Sequence, residues 1–98
     1  MKYGIFPKSG RKLSRLGFGA MGFAGWFGDQ PKEAHIAALL AALEQGVNVI
    51  DTARAYGDSE KILGDALRQW SGEPPFLATK IEGLGPTSQW GWPTTIYL

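Results

Sequence analysis

The clearest pattern in the chain is a helical stripe of apolar residues that begins after Pro31. Apolar side chains recur there at spacings of three and four, at Ile36, Leu39, Leu40 and Leu43. Pro31 suits the first turn of a helix, with Asp29 or Gln30 as its cap, and Gly46 supplies a C-terminal stop. The spacing therefore predicts a helix between Pro31 and Gly46.

A second amphipathic segment follows Ser59. Its apolar side chains fall on one helical face, at Ile62, Leu63, Ala66, Leu67 and Trp70. Ser59 suits the N-cap position, and Gly72 marks the end of the segment. Gly64 lies inside the helix at a cost of about 1 kcal/mol relative to alanine, which suggests that close packing requires it there.

Short apolar runs between these segments have the character of strands. Residues 3–6 and 12–18 flank a Pro and Gly turn and predict a hairpin, whose second arm continues into a strand at 15–19. Residues 47–50 and 76–79 predict two strands that are buried on both faces. The glycine-rich segment 17–28 and the residues from Ile81 onward are predicted to be loops.

The order of these elements defines the fold class. An N-terminal hairpin precedes a strand, a helix, a strand, a second helix and a third strand. Alternation of this kind is typical of α/β proteins with parallel strands and right-handed crossovers. The expected sheet therefore places the first strand beside the second and the second beside the third.

Composition excludes several classes of function. Ten Lys and Arg face nine Asp and Glu, a net charge of +1, which gives no basic surface for nucleic acid or an anionic membrane. The sequence has no cysteine and one histidine, so disulfides and protein-built zinc sites are not expected. No stretch has the length of a signal peptide core or a membrane span, and a cytoplasmic location is the default expectation.

Three residues with useful chemistry lie where strands end. Asp51 closes the second strand, Tyr56 lies in the following loop, and Lys80 closes the third strand. Carboxyl ends of parallel strands share one rim, so these side chains are expected to converge. An ammonium beside a phenol, with a carboxylate that keeps the ammonium charged, suits proton donation to a carbonyl oxygen. The ordinary alternatives are a turn cap, a packing group and a solvated strand end.

The string GVNVIDTARAYGDSEKILGDAL at residues 46–67 resembles the signature of the aldo-keto reductase family. The ATK segment at 78–80, the LGFGAM segment at 16–21 and the N-terminal hairpin are similar to the same family. The resemblance implies a (β/α)₈ TIM barrel and NAD(P)H-dependent reduction of an aldehyde or ketone. It also implies that Asp51, Tyr56 and Lys80 are members of a catalytic tetrad.

The same resemblance implies a cofactor and its contacts. NADPH is the expected cofactor, with its nicotinamide end near Gly19, Ala20, Met21 and Asp51, and a small carbonyl compound is the expected substrate. The tetrad histidine of the family follows a fourth strand, which this sequence does not predict. His35 does not replace it, since it lies on the first helix and is expected at the helix surface.

These departures lead to an expectation about the chain itself. Residues 1–98 are interpreted as the N-terminal part of one barrel domain, inactive alone and able to self-associate through an open sheet edge. One alternative is a non-catalytic remnant or interaction fragment of the family. Another is a Rossmann-type module, because GFGAMG at 17–22 fits GxGxxG, although no helix opens directly after it.

Aromatic residues cluster in the two loops that are expected to follow the first and third strands. They are Phe23, Trp26, Phe27, Trp90 and Trp92. They suit either the wall of an apolar substrate pocket or a simple cover for the top of the sheet. The sequence leaves both interpretations open.

Overall fold

A computed structural model describes residues 1–25, 28, 30–81 and 94–97. Its elements in chain order are β1 (Tyr3–Ile5), β2 (Lys12–Ser14), β3 (Phe18–Gly19), a 3₁₀ turn (Met21–Ala24), α1 (Lys32–Glu44), β4 (Val49–Asp51), α2 (Ser59–Gln69), β5 (Phe76–Ile81) and β6 (Thr94–Tyr97). This mixed α/β arrangement is consistent with the start of a (β/α)₈ barrel.

The strand order confirms the expected topology. β1 and β2 form an antiparallel hairpin, and β3, β4 and β5 are parallel neighbours in sequential order. The crossovers between them are α1 and α2. Each strand therefore lies beside the strand that follows it, as consecutive β-α units require.

The first helix matches its predicted stripe, and its start differs from the expectation. Pro31 is the N-cap residue, and no side-chain hydrogen bond caps the helix. Gln30 is thus not the cap, and Asp29 lies outside the described residues. At the other end Gly46 adopts φ of +98°, the left-handed conformation expected of a C-terminal glycine.

The second helix begins one residue earlier than predicted. Asp58 is the N-cap and Ser59 is the first helical residue, fully buried, so the capping role assigned to Ser59 is wrong. The helix ends at Gln69, before the expected Gly72. The interpretation of Gly64 also fails, because a Cβ there would meet only the Arg68 guanidinium at 3.7 Å, an ordinary contact.

A single apolar core lies between the sheet and the two helices. Its buried members include Ala20, Phe23, Ile36, Leu39, Leu43, Ile50, Ile62, Leu63 and Ala66. Leu39 and Ile50 are among the largest side chains that are completely buried. An ion-paired Asp65, which contacts Lys32 of α1 and Arg68 of α2, joins the helices at their outer surface.

The hairpin covers the amino end of the parallel strands. Asn48, just before β4, accepts a 2.7 Å hydrogen bond from the Ser14 amide, and its own amide donates to Ser14 Oγ at 3.0 Å. The ring of Phe6 packs 5.4 Å from that of Phe76, the first residue of β5. These contacts explain why β4 starts at Val49 and not at the predicted residue 47.

One strand departs from the predicted loop. Thr94–Tyr97 forms β6, which pairs antiparallel with β5 from Ala78 to Ile81, whereas everything after Ile81 was expected to be a loop. The edge of β5 offers unpaired amides and carbonyls, and a β-branched segment of the same chain satisfies them. The edge of β5 is therefore covered, and within the described ranges the outer strands of the sheet are β3 and β6.

Candidate active site

Strand register brings Gly19, Asp51 and Lys80, all predicted site residues, together at the carboxyl end of the sheet. Gly19 pairs with Asp51, and Asp51 pairs with Ala78, two residues before Lys80. Because side chains alternate along a strand, Lys80 lies on the same face as Ala78 and therefore as Asp51. This face points away from α1 and α2. Ile50 and Leu77 lie on the opposite face of the sheet, where they pack in the core against the helices. The predicted convergence on one rim is confirmed.

The ammonium of Lys80 is the centre of this cluster. Lys80 Nζ donates to Asp51 Oδ1 at 2.7 Å and to the Thr52 carbonyl oxygen at 3.1 Å. It also lies 5.4 Å from the centre of the Tyr56 ring. The Lys80 side chain is 20% exposed and that of Asp51 is 53% exposed, so the ion pair opens to solvent on the carboxylate side. A molecule that approaches the rim meets Asp51 first.

The surroundings of Lys80 stabilise its charged form. Burial is the largest effect and lowers the pKa of Lys80. The hydrogen bond and charge of Asp51, with smaller effects of the Tyr56 hydroxyl, raise the pKa by more than burial lowers it, so that it lies above 10.5. An opposite charge within hydrogen-bond distance favours the ionised state of an amine. Lys80 is therefore a fixed positive charge at neutral pH.

Tyr56 is held in a short folded loop between β4 and α2. Its amide donates to the Ala53 carbonyl at 3.1 Å, and its carbonyl accepts the Ser59 amide at 2.9 Å. The side chain is half-buried. The loop is thus hydrogen-bonded along its length, which fixes the direction in which the phenol leaves the backbone.

Two buried hydroxyl groups beside this loop were missed as site residues. Thr52 Oγ1 lies 2.8 Å from Ser59 Oγ, and Ser59 Oγ donates to the Ala20 carbonyl at 3.3 Å. Thr52 is 2% exposed and Ser59 is completely buried. Strand alternation could have identified Thr52 from the sequence. Because Asp51 lies on the rim face, Thr52 must lie on the helix face, opposite the start of α2.

The residues expected near the nicotinamide lie beside Asp51, with different exposures. Gly19 is exposed, and no atom would meet a Cβ placed on it, so its backbone faces open space. Met21 is 39% exposed. Ala20 is fully buried, and its amide donates to the Asp51 carbonyl at 2.8 Å. An uncrowded backbone next to a carboxylate is a surface that a flat ring can approach, and these residues fit such a group.

Two other expectations concern the loop after β3 and the first helix. Phe23 is buried and packs 5.6 Å from the Phe18 ring and 4.7 Å from the His35 ring, so it acts as a cover for the core. His35 lies on α1 as expected and is half-buried there in its contact with Phe23. The remaining candidate pocket aromatics, Trp26, Phe27, Trp90 and Trp92, lie outside the described residues.

The described residues hold neither a metal site nor a membrane helix. No group of three or more His, Asp or Glu in residues 1–25, 28, 30–81 and 94–97 is arranged to bind a metal ion. Across the same ranges, α1 and α2 both lack the length and apolar character needed to cross a bilayer.

Sequence comparison identifies several similar proteins. Aldo-keto reductase YhdN of Bacillus subtilis is 39% identical over 85 residues, which cover 82% of this chain and 25% of the relative. The NADH-specific methylglyoxal reductase of Escherichia coli is 40% identical over 73 residues, 69% of this chain and 22% of the relative. A probable voltage-gated potassium channel subunit beta of Arabidopsis thaliana is 39% identical over 94 residues, which cover 88% of this chain and 27% of the relative.

The chain spans about a quarter of the length of these curated relatives. A sequence model described as the aldo/keto reductase family matches residues 15–95. That range includes β3, β4, β5 and both helices, together with the rim on which the Asp51 and Lys80 side chains meet. This chain belongs to the aldo/keto reductase family.

Proposed function

We propose that this chain contributes the proton-donating part of an NADPH-dependent reductase that converts an aldehyde or ketone into an alcohol. Membership of the aldo/keto reductase family supports a general reductase function. The observation that carries the specific proposal is the contact of Lys80 with both Asp51 and the ring of Tyr56 on the open rim.

Each of the three side chains has a distinct task in the proposed reaction. Tyr56 donates its hydroxyl proton to the carbonyl oxygen of the substrate. The Lys80 ammonium stabilises the negative charge that remains on the phenol oxygen once the proton has left. Asp51 keeps the ammonium charged and aligned through its 2.7 Å hydrogen bond. Solvent then returns a proton to Tyr56.

The cofactor of the proposed reaction supplies the hydride that the carbonyl carbon receives. Gly19, Ala20, Met21 and Asp51 are the proposed residues near its nicotinamide, with Gly19 and Met21 as the accessible ones. Ala20 contributes by holding the end of β3 against Asp51, since its side chain is buried. Family members use NAD(P)H, and one relative is named as NADH-specific. We assign NADPH to this chain, and fluorescence titration with both cofactors distinguishes the two.

The proposal is tested by Tyr56→Phe in the natural gene product. The variant keeps the ring over Lys80 and loses only the proton, so kcat/KM for a reactive aldehyde is expected to fall by roughly a hundredfold or more. NADPH affinity should change less than about twofold, because the substitution removes one oxygen atom and leaves the proposed nicotinamide residues unchanged. Tyr3→Phe is the matched control, as Tyr3 is also half-buried and lies in the hairpin at the far end of the sheet.

Two results decide against the proposal. If Tyr56→Phe keeps most of the wild-type turnover, another group supplies the proton. If the natural gene product binds NADPH but reduces no aldehyde or ketone, the chain acts as a binding or interaction module of the family. Failure to bind either cofactor would favour the non-catalytic remnant.

A further inference from the structure

We infer that the buried hydroxyl pair Thr52–Ser59 is the positioning device of the rim, which sets the place of Lys80 and Tyr56 relative to each other. The inference deepens the proposed function and rests on it for its catalytic consequence. Thr52 and Ser59 do not contact the substrate in the proposed reaction. They act through the groups to which they are bonded.

The direction of the hydrogen bonds follows from the number of protons available. Ser59 Oγ donates its one proton to the Ala20 carbonyl oxygen at 3.3 Å. Its 2.8 Å contact with Thr52 Oγ1 must then use the proton of Thr52. A single chain of bonds thus runs from Thr52 through Ser59 to Ala20. It joins the end of β4, the first turn of α2 and the end of β3.

The pair also closes the loop that carries Tyr56. Thr52 and Ser59 stand at the two ends of that loop, seven residues apart. The Ser59 amide donates to the Tyr56 carbonyl at 2.9 Å, so movement of Ser59 moves the Tyr56 backbone directly. Because both hydroxyls are buried, no solvent molecule replaces either partner when one is removed.

The connection to Lys80 uses the other side of Thr52. The Thr52 carbonyl oxygen accepts a 3.1 Å hydrogen bond from Lys80 Nζ, and the Thr52 amide donates to the Ala78 carbonyl at 2.8 Å. The Thr52 side chain points to α2 while its carbonyl meets the ammonium. A rotation of this residue that follows loss of the hydroxyl contact therefore withdraws one acceptor from Lys80.

The attachment of α2 to the sheet has other supports. Ile62, Leu63 and Ala66 are buried in the core, and Thr79 Oγ1 donates to Glu60 Oε2 at 2.9 Å. Loss of the hydroxyl pair is thus expected to leave the helix docked. The backbone of Tyr56 and the ammonium of Lys80 are both bonded directly to this pair of residues, through the Ser59 amide and the Thr52 carbonyl oxygen, which separates a positioning role from the docking of the helix.

The first experiment measures steady-state kinetics of Thr52→Val and Ser59→Ala in the natural gene product. Each removes a hydroxyl at nearly constant or reduced volume. We expect kcat to fall roughly ten- to hundredfold, the scale of a displacement of about 1 Å, with KM for NADPH little changed. The double variant should be no slower than the slower single variant, because either change breaks the same chain.

Two control variants accompany these measurements. Thr52→Ser keeps the hydroxyl and should retain most of the wild-type kcat. Ser14→Ala removes another buried serine hydroxyl, which bonds to Leu16 and Asn48 at the hairpin end of the sheet. It should lower stability without affecting kcat. Equal losses of kcat in Ser14→Ala and Ser59→Ala would overturn the inference.

A second experiment is independent of turnover. Lysine labelled with ¹³C at Cε is incorporated biosynthetically, which leaves all three protons on the ammonium, and the Lys80 Cε resonance is titrated by NMR in the same variants. Removal of an acceptor destabilises the ammonium, so the Lys80 titration should move to lower pH in Thr52→Val and Ser59→Ala and remain in place in Ser14→Ala. Ser59→Ala alone decides the matter if Thr52→Val does not fold.

The outcomes separate the two proposals. An unmoved Lys80 titration in both hydroxyl variants overturns the inference, whatever the activity. A moved titration in a protein that reduces no carbonyl supports the positioning role and removes the reductase assignment. Wild-type kcat in both hydroxyl variants of an active enzyme overturns the positioning role.

Discussion

Lys80 Nζ, near the end of β5, donates a 2.7 Å hydrogen bond to Asp51 Oδ1 at the end of β4, 29 residues earlier in the chain. The contact exists because β4 and β5 are parallel and in a register that pairs Asp51 with Ala78. A shift of one residue in that register would turn Lys80 to the helix side of the sheet. The ion pair therefore depends on the alignment of β4 with β5, and it is also a candidate catalytic contact.

The raised pKa of Lys80 predicts a loss of stability at high pH. The folded-state pKa exceeds the ordinary value of 10.5, so the contribution of the ammonium is fully present below pH 10.5 and is lost as the pH rises through the folded value. The urea midpoint of the wild type should fall more steeply above pH 10.5 than that of Lys80→Met.

The difference in pH dependence between the wild type and Lys80→Met is the quantity to measure. Lys61→Met is the matched control, since Lys61 is exposed on α2. Its urea midpoint should follow the wild-type pH dependence. Parallel curves for wild type and Lys80→Met would show that the ion pair does not stabilise the fold.

Gly46→Ala is predicted to destabilise the chain by about 1–3 kcal/mol. Gly46 has φ of +98°, and an added Cβ would lie 2.6 Å from the Tyr3 hydroxyl oxygen, which donates to the Gly46 carbonyl. Both the backbone strain and the displaced phenol contribute. Chemical denaturation followed by tryptophan fluorescence measures the loss.

The two causes are separated by a second substitution. Tyr3→Phe removes the crowded oxygen, so Gly46→Ala should cost less in that background than in the wild type. The residual cost is then the conformational strain. An equal cost in both backgrounds would show that the phenol moves aside freely and that strain alone accounts for the effect.

Gly64→Ala is predicted to stabilise the chain by about 0.5–1 kcal/mol. Gly64 lies within α2, and its Cβ would meet only a flexible guanidinium at 3.7 Å. Alanine restricts the unfolded chain and favours the helix without a clash. A lower thermal midpoint for the variant would show that a close neighbour packs on this side of α2.

The 98-residue chain expressed alone is predicted to self-associate. Ile5 and Leu16 are 64% and 65% exposed, and β3 has β4 as its one partner in the part of the chain that the structure describes. Apolar groups and unpaired strand edges recruit other chains. Sedimentation velocity across a concentration series tests this, and Leu16→Lys should weaken the association. A single monomeric species at every concentration would contradict it.

The sequence by itself determined the helices and the order of the parallel strands. The apolar stripes of α1 and α2 follow the helical period, and the buried residues Ile36, Leu39 and Leu43 are those the spacing selects. Asp51 and Lys80 could be placed on one rim for a similar reason, because alternation of strands and helices forces their carboxyl ends to the same edge. These inferences need only short-range periodicity and chain connectivity.

Only the tertiary structure decided which atoms those residues meet. Ser59 suits an N-cap by its type and position, but in the fold its hydroxyl bonds to Thr52 and to Ala20, 39 residues earlier. Thr94–Tyr97 has a composition that suits a strand, but its pairing with β5 depends on the free edge that the folded sheet presents. Periodicity specifies the face on which a side chain lies. Its hydrogen-bond partner depends on distant backbone atoms whose position is fixed when the layers pack.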